Sequence, residues 1–134
     1  MSDLTSLQSL LQPLFPGLIG MELTELGADR VCARLTVRPD LCTVGGILHG
    51  GAVMAFADTL GAVATFVNLP QGARTTTIES KTKFFAAAAV GTTVTAECTP
   101  FHKGKSTMVW QTQVKNAAGK LCAVVTQTQM VLPN

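Results

Sequence analysis

The residues best suited to chemistry stand close together: Leu48-His49-Gly50-Gly51, and one carboxylate, Asp58, nine positions after the histidine. Two glycines opening an apolar run leave backbone N–H groups unpaired at a helix N-terminus, with the positive end of the helix dipole behind them. Such a place favours negative charge developing on an oxygen. The run that follows, from Ala52 to Val67, is apolar on every side, which predicts a core helix walled in by other elements. A carboxylate set in that wall is costly unless it has a partner or a role. Asp58 therefore reads as a nucleophile or as the base that activates water; the structural alternative is a core carboxylate satisfied by backbone N–H groups.

The elements that must hold these groups can be read from periodicity. Leu4, Leu7, Leu10 and Leu11 recur at helical spacing and stop before Pro13 and Pro16, which predicts a short N-terminal helix capping an edge. Val31, Ala33, Leu35 and Val37 alternate with polar residues as a half-buried strand does. Pro39 to Gly46 is a loop leading straight to His49. Thr75 to Phe85, Thr93 to Thr99, Met108 to Val114 and Leu121 to Leu132 then read as four strands in meander-like succession, with glycine turns at Lys103-Gly104-Lys105 and Asn116-Ala117-Ala118-Gly119. Strands with one segregated helix predict an α+β fold, an antiparallel sheet wrapped around the buried helix, in a single domain over 1–134.

Composition narrows the function classes. Charged residues are only 13% of the chain against 47% hydrophobic, so much of the surface must be apolar or hidden against another copy, and oligomerisation is the economical explanation. The net charge of +2 comes from scattered lysines and arginines, which argues against nucleic acid. Cys32, Cys42, Cys98 and Cys122 are far apart with no C-x-x-C, so neither a metal site nor a redox motif is expected. Gly51 to Leu69 is nearly long enough to cross a membrane, but Asp58 at its centre would cost about 2.5–3.5 kcal/mol there. The N-terminus carries no secretory pattern, so a cytoplasmic protein is expected, acting away from membranes. Gly104-Lys105-Ser106-Thr107 is not a phosphate loop: Thr99 stands where the upstream glycine is required, and a strand follows. Cys42, His49 and Asp58 lack the spacing of a nucleophilic triad, and His102 reads as a surface residue at a turn.

Gly46-Ile47-Leu48-His49-Gly50-Gly51 with Asp58 resembles the hotdog-fold acyl-CoA thioesterases, in the branch typified by the phenylacetate-pathway (PaaI-like) thioesterase. Thr77-Ile78-Glu79, Phe84-Phe85, Gly91, Gly104-Lys105 and Gly119-Lys120-Leu121 extend the resemblance over nearly the whole chain. It implies hydrolysis of small to medium acyl-CoA thioesters, with no cofactor beyond the coenzyme A of the substrate. It also implies roles: the Gly50 N–H polarises the carbonyl, Asp58 is nucleophile or base, His49 orders the turn, and Thr77 positions water. Gly51, Met54 and Phe56 would line the acyl path. At the turn around Gly104, Lys103 and Lys105 read either as flexible point charges for the coenzyme A phosphates or as solvated turn lysines. One departure stands out: Thr43 occupies the place where the family commonly has Asn or Gln. The resemblance further implies a homodimer with sites shared between chains, doubling to a homotetramer. Two other hotdog functions compete with hydrolysis: a subunit that binds acyl-CoA without turning it over, and a hydratase or dehydratase.

Overall fold

The computed structural model describes residues 3–134. Its elements are α1 (Leu4–Leu11), α2 (Phe15–Leu18), β1 (Glu22–Leu26), β2 (Val31–Thr36), a single 3-10 turn (Pro39–Leu41), a small hairpin of β3 (Cys42–Thr43) and β4 (Ile47–Leu48), α3 (Gly50–Phe66), β5 (Arg74–Phe84), β6 (Thr93–Lys103), β7 (Thr107–Lys115) and β8 (Leu121–Leu132). Six strands form one antiparallel sheet in the order β1-β2-β6-β7-β8-β5, and α3 packs on it. This is the α+β arrangement that the sequence predicts.

Two details differ from expectation. The meander holds for β6, β7 and β8, but β5 joins the far side of β8 and becomes an edge. The first strand, β1, escapes a period-two reading because a bulge between Leu23 and Glu25 puts its alternation out of step.

Helix α3 buries Val53, Phe56, Ala57, Leu60, Gly61, Val63, Ala64 and Thr65 against the sheet. It is pinned there by a polar contact in the core, where the Trp110 indole N–H donates to Thr65 Oγ1 at 2.8 Å and the Thr65 hydroxyl donates to the Gly61 carbonyl. The helix is not walled in on all sides, however. One chain supplies a single layer, so Met54 and Phe66 keep 39% and 43% of their surface in contact with solvent.

The N-terminal helix caps an edge as predicted. Gln8 on α1 donates from Nε2 to the Met21 carbonyl and accepts from the Leu23 N–H at 2.7 Å, satisfying backbone groups at the outer side of β1. Asp3 starts this helix by accepting from the Ser6 N–H, and that bond lowers the pKa of its carboxyl below the usual range.

Candidate active site

The turn entering α3 leaves one N–H free by accounting for its neighbours. The Gly51 N–H donates to His49 Nδ1 at 2.7 Å, and the His49 carbonyl accepts from the N–H groups of Ala52 and Val53. Among the described residues the Gly50 N–H has no acceptor. His49 is thus the N-cap, and its bond at Nδ1 leaves Nε2 to carry the ring proton. A Cβ at 51 would lie 2.9 Å from His49 Nδ1, so a side chain there would displace the capping ring. The β3–β4 hairpin brings His49 to this point, its N–H donating to the Leu41 carbonyl at 2.9 Å.

At the middle of α3, Asp58 is half-buried and faces β5 and β8. The Thr77 hydroxyl donates to Asp58 Oδ1 at 2.6 Å, and Gln127 Nε2 lies 3.1 Å from the same oxygen. Gln129 Nε2 donates in turn to Thr77 Oγ1, so the Thr77 hydroxyl must spend its own hydrogen on Asp58. Thr75 completes the row with its hydroxyl 2.9 Å from Gln129 Oε1. Asp58 is therefore satisfied by side chains from the sheet, not by the backbone N–H groups of the structural alternative. Gln127 and Gln129 escaped the sequence reading. Their signal was two carboxamides at inward positions of a strand whose other inward residues, Ala123 and Val125, are apolar.

Fold and turn can be set beside known proteins. A model of the thioesterase superfamily matches residues 45–123, which include the turn, all of α3 and the Thr77 strand. The chain belongs to the thioesterase superfamily. It is 27% identical to the 1,4-dihydroxy-2-naphthoyl-CoA hydrolase of Escherichia coli over 116 residues, 87% of this chain and 85% of that one. A solved thioesterase from Haemophilus influenzae superposes with a TM-score of 0.93 at 28% identity, covering 98% of this chain and 92% of the other. The phenylacetic acid degradation protein PaaI of Thermus thermophilus shares the fold at a TM-score of 0.79 and 24% identity, over 87% of this chain and 96% of its own. Thioester hydrolysis is accordingly the activity class of this protein.

In this thioesterase the other residues singled out from the sequence fall in three places. Thr43, Leu48, Gly50, Val53, Phe84 and Val114 line a mainly apolar cleft of about 390 Å³ at the free N–H. His49 and Gly51 face a second cleft, of about 430 Å³, with Phe15, Leu18 and Arg38. Lys103, Gly104 and Lys105 line a third, beside Asn68 near the far end of α3. Met54 lies on the open face of the helix, but Phe56 has no exposed surface and touches none of these clefts. The expectation that Phe56 lines the acyl path is corrected accordingly: in this chain it is core.

Lys103 donates to Asp29 at 2.5 Å, so one of the two turn lysines is already paired. His102 is exposed, beside the Gly104 turn. Burial raises the Cys98 thiol to about 11 and pushes Cys122 up as well, while Cys42 donates to the Arg38 carbonyl. Among the described residues no group of His, Cys, Asp and Glu could hold a metal ion, and no helix is long and apolar enough to cross a membrane.

Proposed function

We propose that this protein hydrolyses the thioester of small to medium acyl-CoA molecules at sites shared between two copies, where Gly50 of one chain faces Asp58 of the other. A separation within the chain carries this reading. Asp58 lies eight positions beyond Gly50 on α3, about 12 Å along the axis at about 1.5 Å per residue. A carbonyl held about 3 Å from the Gly50 N–H cannot also meet Asp58 of the same chain. The uncovered β5 edge and the exposed Met54, Ile78, Phe84 and Phe85 support a second copy on this side. The low charge content supports a further pairing of dimers into a tetramer.

In this reading the acyl group occupies the cleft beside Gly50, with Thr43 at its rim, and the N–H and helix dipole stabilise the carbonyl oxygen as it becomes negative. Asp58 takes a proton from water whose oxygen attacks the carbonyl carbon. The C–S bond breaks, and the sulfur leaves with its electron pair and receives that proton. Direct attack by the carboxylate would instead pass through an anhydride opened by water. In single-turnover hydrolysis in ¹⁸O water, heavy oxygen entering Asp58 identifies carboxylate attack with the anhydride opened at the Asp58 carbonyl, and trapping of the acyl group on Asp58 identifies carboxylate attack with opening at the acyl carbonyl. Lys105, exposed and without a carboxylate partner among the described residues, is the turn cation left for a phosphate of coenzyme A.

Thiol release measured across a panel of acyl-CoA molecules tests the activity; tight binding of the whole panel without turnover would leave the non-catalytic subunit. The shared site is tested by complementation. Inactive Asp58→Asn chains refolded with equal amounts of inactive Gly50→Val chains should recover about a quarter of the parental sites, since each heterodimer holds one intact site and one doubly defective site. Heterodimers seen by mass but without activity would mean that each site is built within one chain.

A further inference from the structure

We propose that Gln127 is a positioning residue for Asp58 and that Gly61 is the gap in α3 that admits it; this rests on the catalytic role of Asp58 proposed above. Gln127 is buried, with 1% of its surface exposed, on a strand whose neighbouring inward position is Val125. Burying a carboxamide among apolar side chains is unfavourable unless its polar atoms are used. Here one end is used twice: Nε2 lies 3.1 Å from Asp58 Oδ1 and 3.2 Å from the Asp58 carbonyl, so it donates to two oxygens of one residue. The other end, Oε1, is buried with no partner among the described residues. Turning the amide over would set Oε1 against two acceptors, so its orientation is fixed despite the orphaned oxygen. Gln127 gives up half of its own bonding in order to hold Asp58.

Room for this contact is supplied by the helix. Gly61 follows Asp58 by three positions and lies on the same face. A Cβ at 61 would lie 2.1, 2.2 and 2.4 Å from the three outer atoms of the Gln127 carboxamide, so any side chain there drives the amide away from Asp58. Glycine inside a helix lowers its stability, so its presence at this point needs a local reason. Closeness to Gln127 is that reason.

The consequence concerns which oxygen of Asp58 reacts. Thr77 and Gln127 both donate to Oδ1, and among the described residues none donates to Oδ2. The carboxylate is held by one oxygen and offers the other. Gln127 thus sets the direction of the reacting oxygen without touching the substrate.

The test uses the full-length protein with hexanoyl-CoA and benzoyl-CoA, following thiol release, with Asp58→Asn as a control. Gln127→Met keeps the length of the side chain and removes its donors; Gly61→Ala keeps Gln127 but displaces it. Each should lower kcat at least tenfold and leave KM within about twofold. The double variant should be no slower than the slower single one, because both act on one contact. Melting curves on the same samples confirm that the fall in kcat is measured on folded protein. The inference is overturned if Gln127→Met keeps kcat within twofold of the parent, if the losses multiply in the double variant, or if KM alone changes. Asp58→Asn inactive beside a normal Gln127→Met removes this inference alone. Asp58→Asn as active as the parent removes the catalytic reading and this inference together.

Discussion

At one edge of the sheet, β1 is five residues long, bulged, charged at Glu22 and Glu25, and closed by α1 through Gln8. At the other, β5 runs for eleven residues, pairs among the described residues only with β8, and carries the exposed Ile78 and Phe84. Soluble proteins shorten, charge or cover their edges to stop stray pairing, and β1 shows all three devices. The edge at β5, twice as long and lying directly over Asp58 through Thr77, is charged at Arg74, Glu79, Lys81 and Lys83 and bulged at Ile78, but it is neither short nor covered, and in the proposed dimer it is where the partner sits. On the proposed function, stability and catalysis fall on opposite sides of one sheet, and substitutions on the two sides should separate them.

The largest separation should come at Asp58. Asp58→Asn keeps the volume and both donors' target while removing the base, so kcat should fall by about 10²–10⁴ with substrate binding and melting behaviour retained. Gly50→Val should follow. A Cβ at that position meets the Phe84 ring at 3.3 Å, and a branched side chain displaces the carbonyl from the free N–H. Losing one oxyanion donor corresponds to about 2.7–4 kcal/mol, or about 10²–10³ in kcat. Turnover near the parental rate in either folded variant would remove that residue from the mechanism.

A matched pair of substitutions examines the edges themselves. Ile78 and Thr24 both occupy bulges on edge strands and both are exposed. Ile78→Asp replaces an exposed apolar side chain on the uncovered edge with a charge and should shift the protein toward monomers in sedimentation, with activity falling at least tenfold. Thr24→Asp, on the closed edge, should change neither. Equal behaviour of the two would mean that the difference between the edges has no part in assembly.

What the sequence disclosed depends on the kind of information each element carries. Alternation over Val31 to Val37 and over Leu121 to Leu132 exposes a buried face, and the apolar run after Gly51 exposes a core helix. Alternation does not record which strand lies beside which, so β5 could not be placed at the edge until its hydrogen bonds to β8 were seen. The turn at His49 was legible because its chemistry is local: a cap and two glycines adjacent in the chain. Asp58 was legible as an oddity and the resemblance put Thr77, 19 positions away, in the same site, but Gln127, 69 positions away, was not legible. Phe56 was misplaced for a related reason. A helix apolar on all sides does not announce which face the sheet takes, and Phe56 proved to be on the covered one.

The smallest effect is expected at the closed edge, where it bears on stability alone. Gln8 spans the gap between α1 and β1, its Nε2 donating to the Met21 carbonyl at 3.0 Å and its Oε1 accepting from the Leu23 N–H at 2.7 Å. Gln8→Ala removes both bonds and leaves two partly buried backbone groups to find water. Each such bond contributes about 0.5–1.5 kcal/mol net, so chemical denaturation should show a loss of about 1–3 kcal/mol. Leu7, buried beneath the same helix, keeps α1 docked, so the sheet and α3 should stay in place. Since neither Gly50 nor Asp58 contacts this side, kcat and KM should match the parent. A Gln8→Ala protein with normal stability would mean that α1 covers β1 by its apolar face alone; one with lowered kcat would mean that the closed edge and the site are coupled through the sheet.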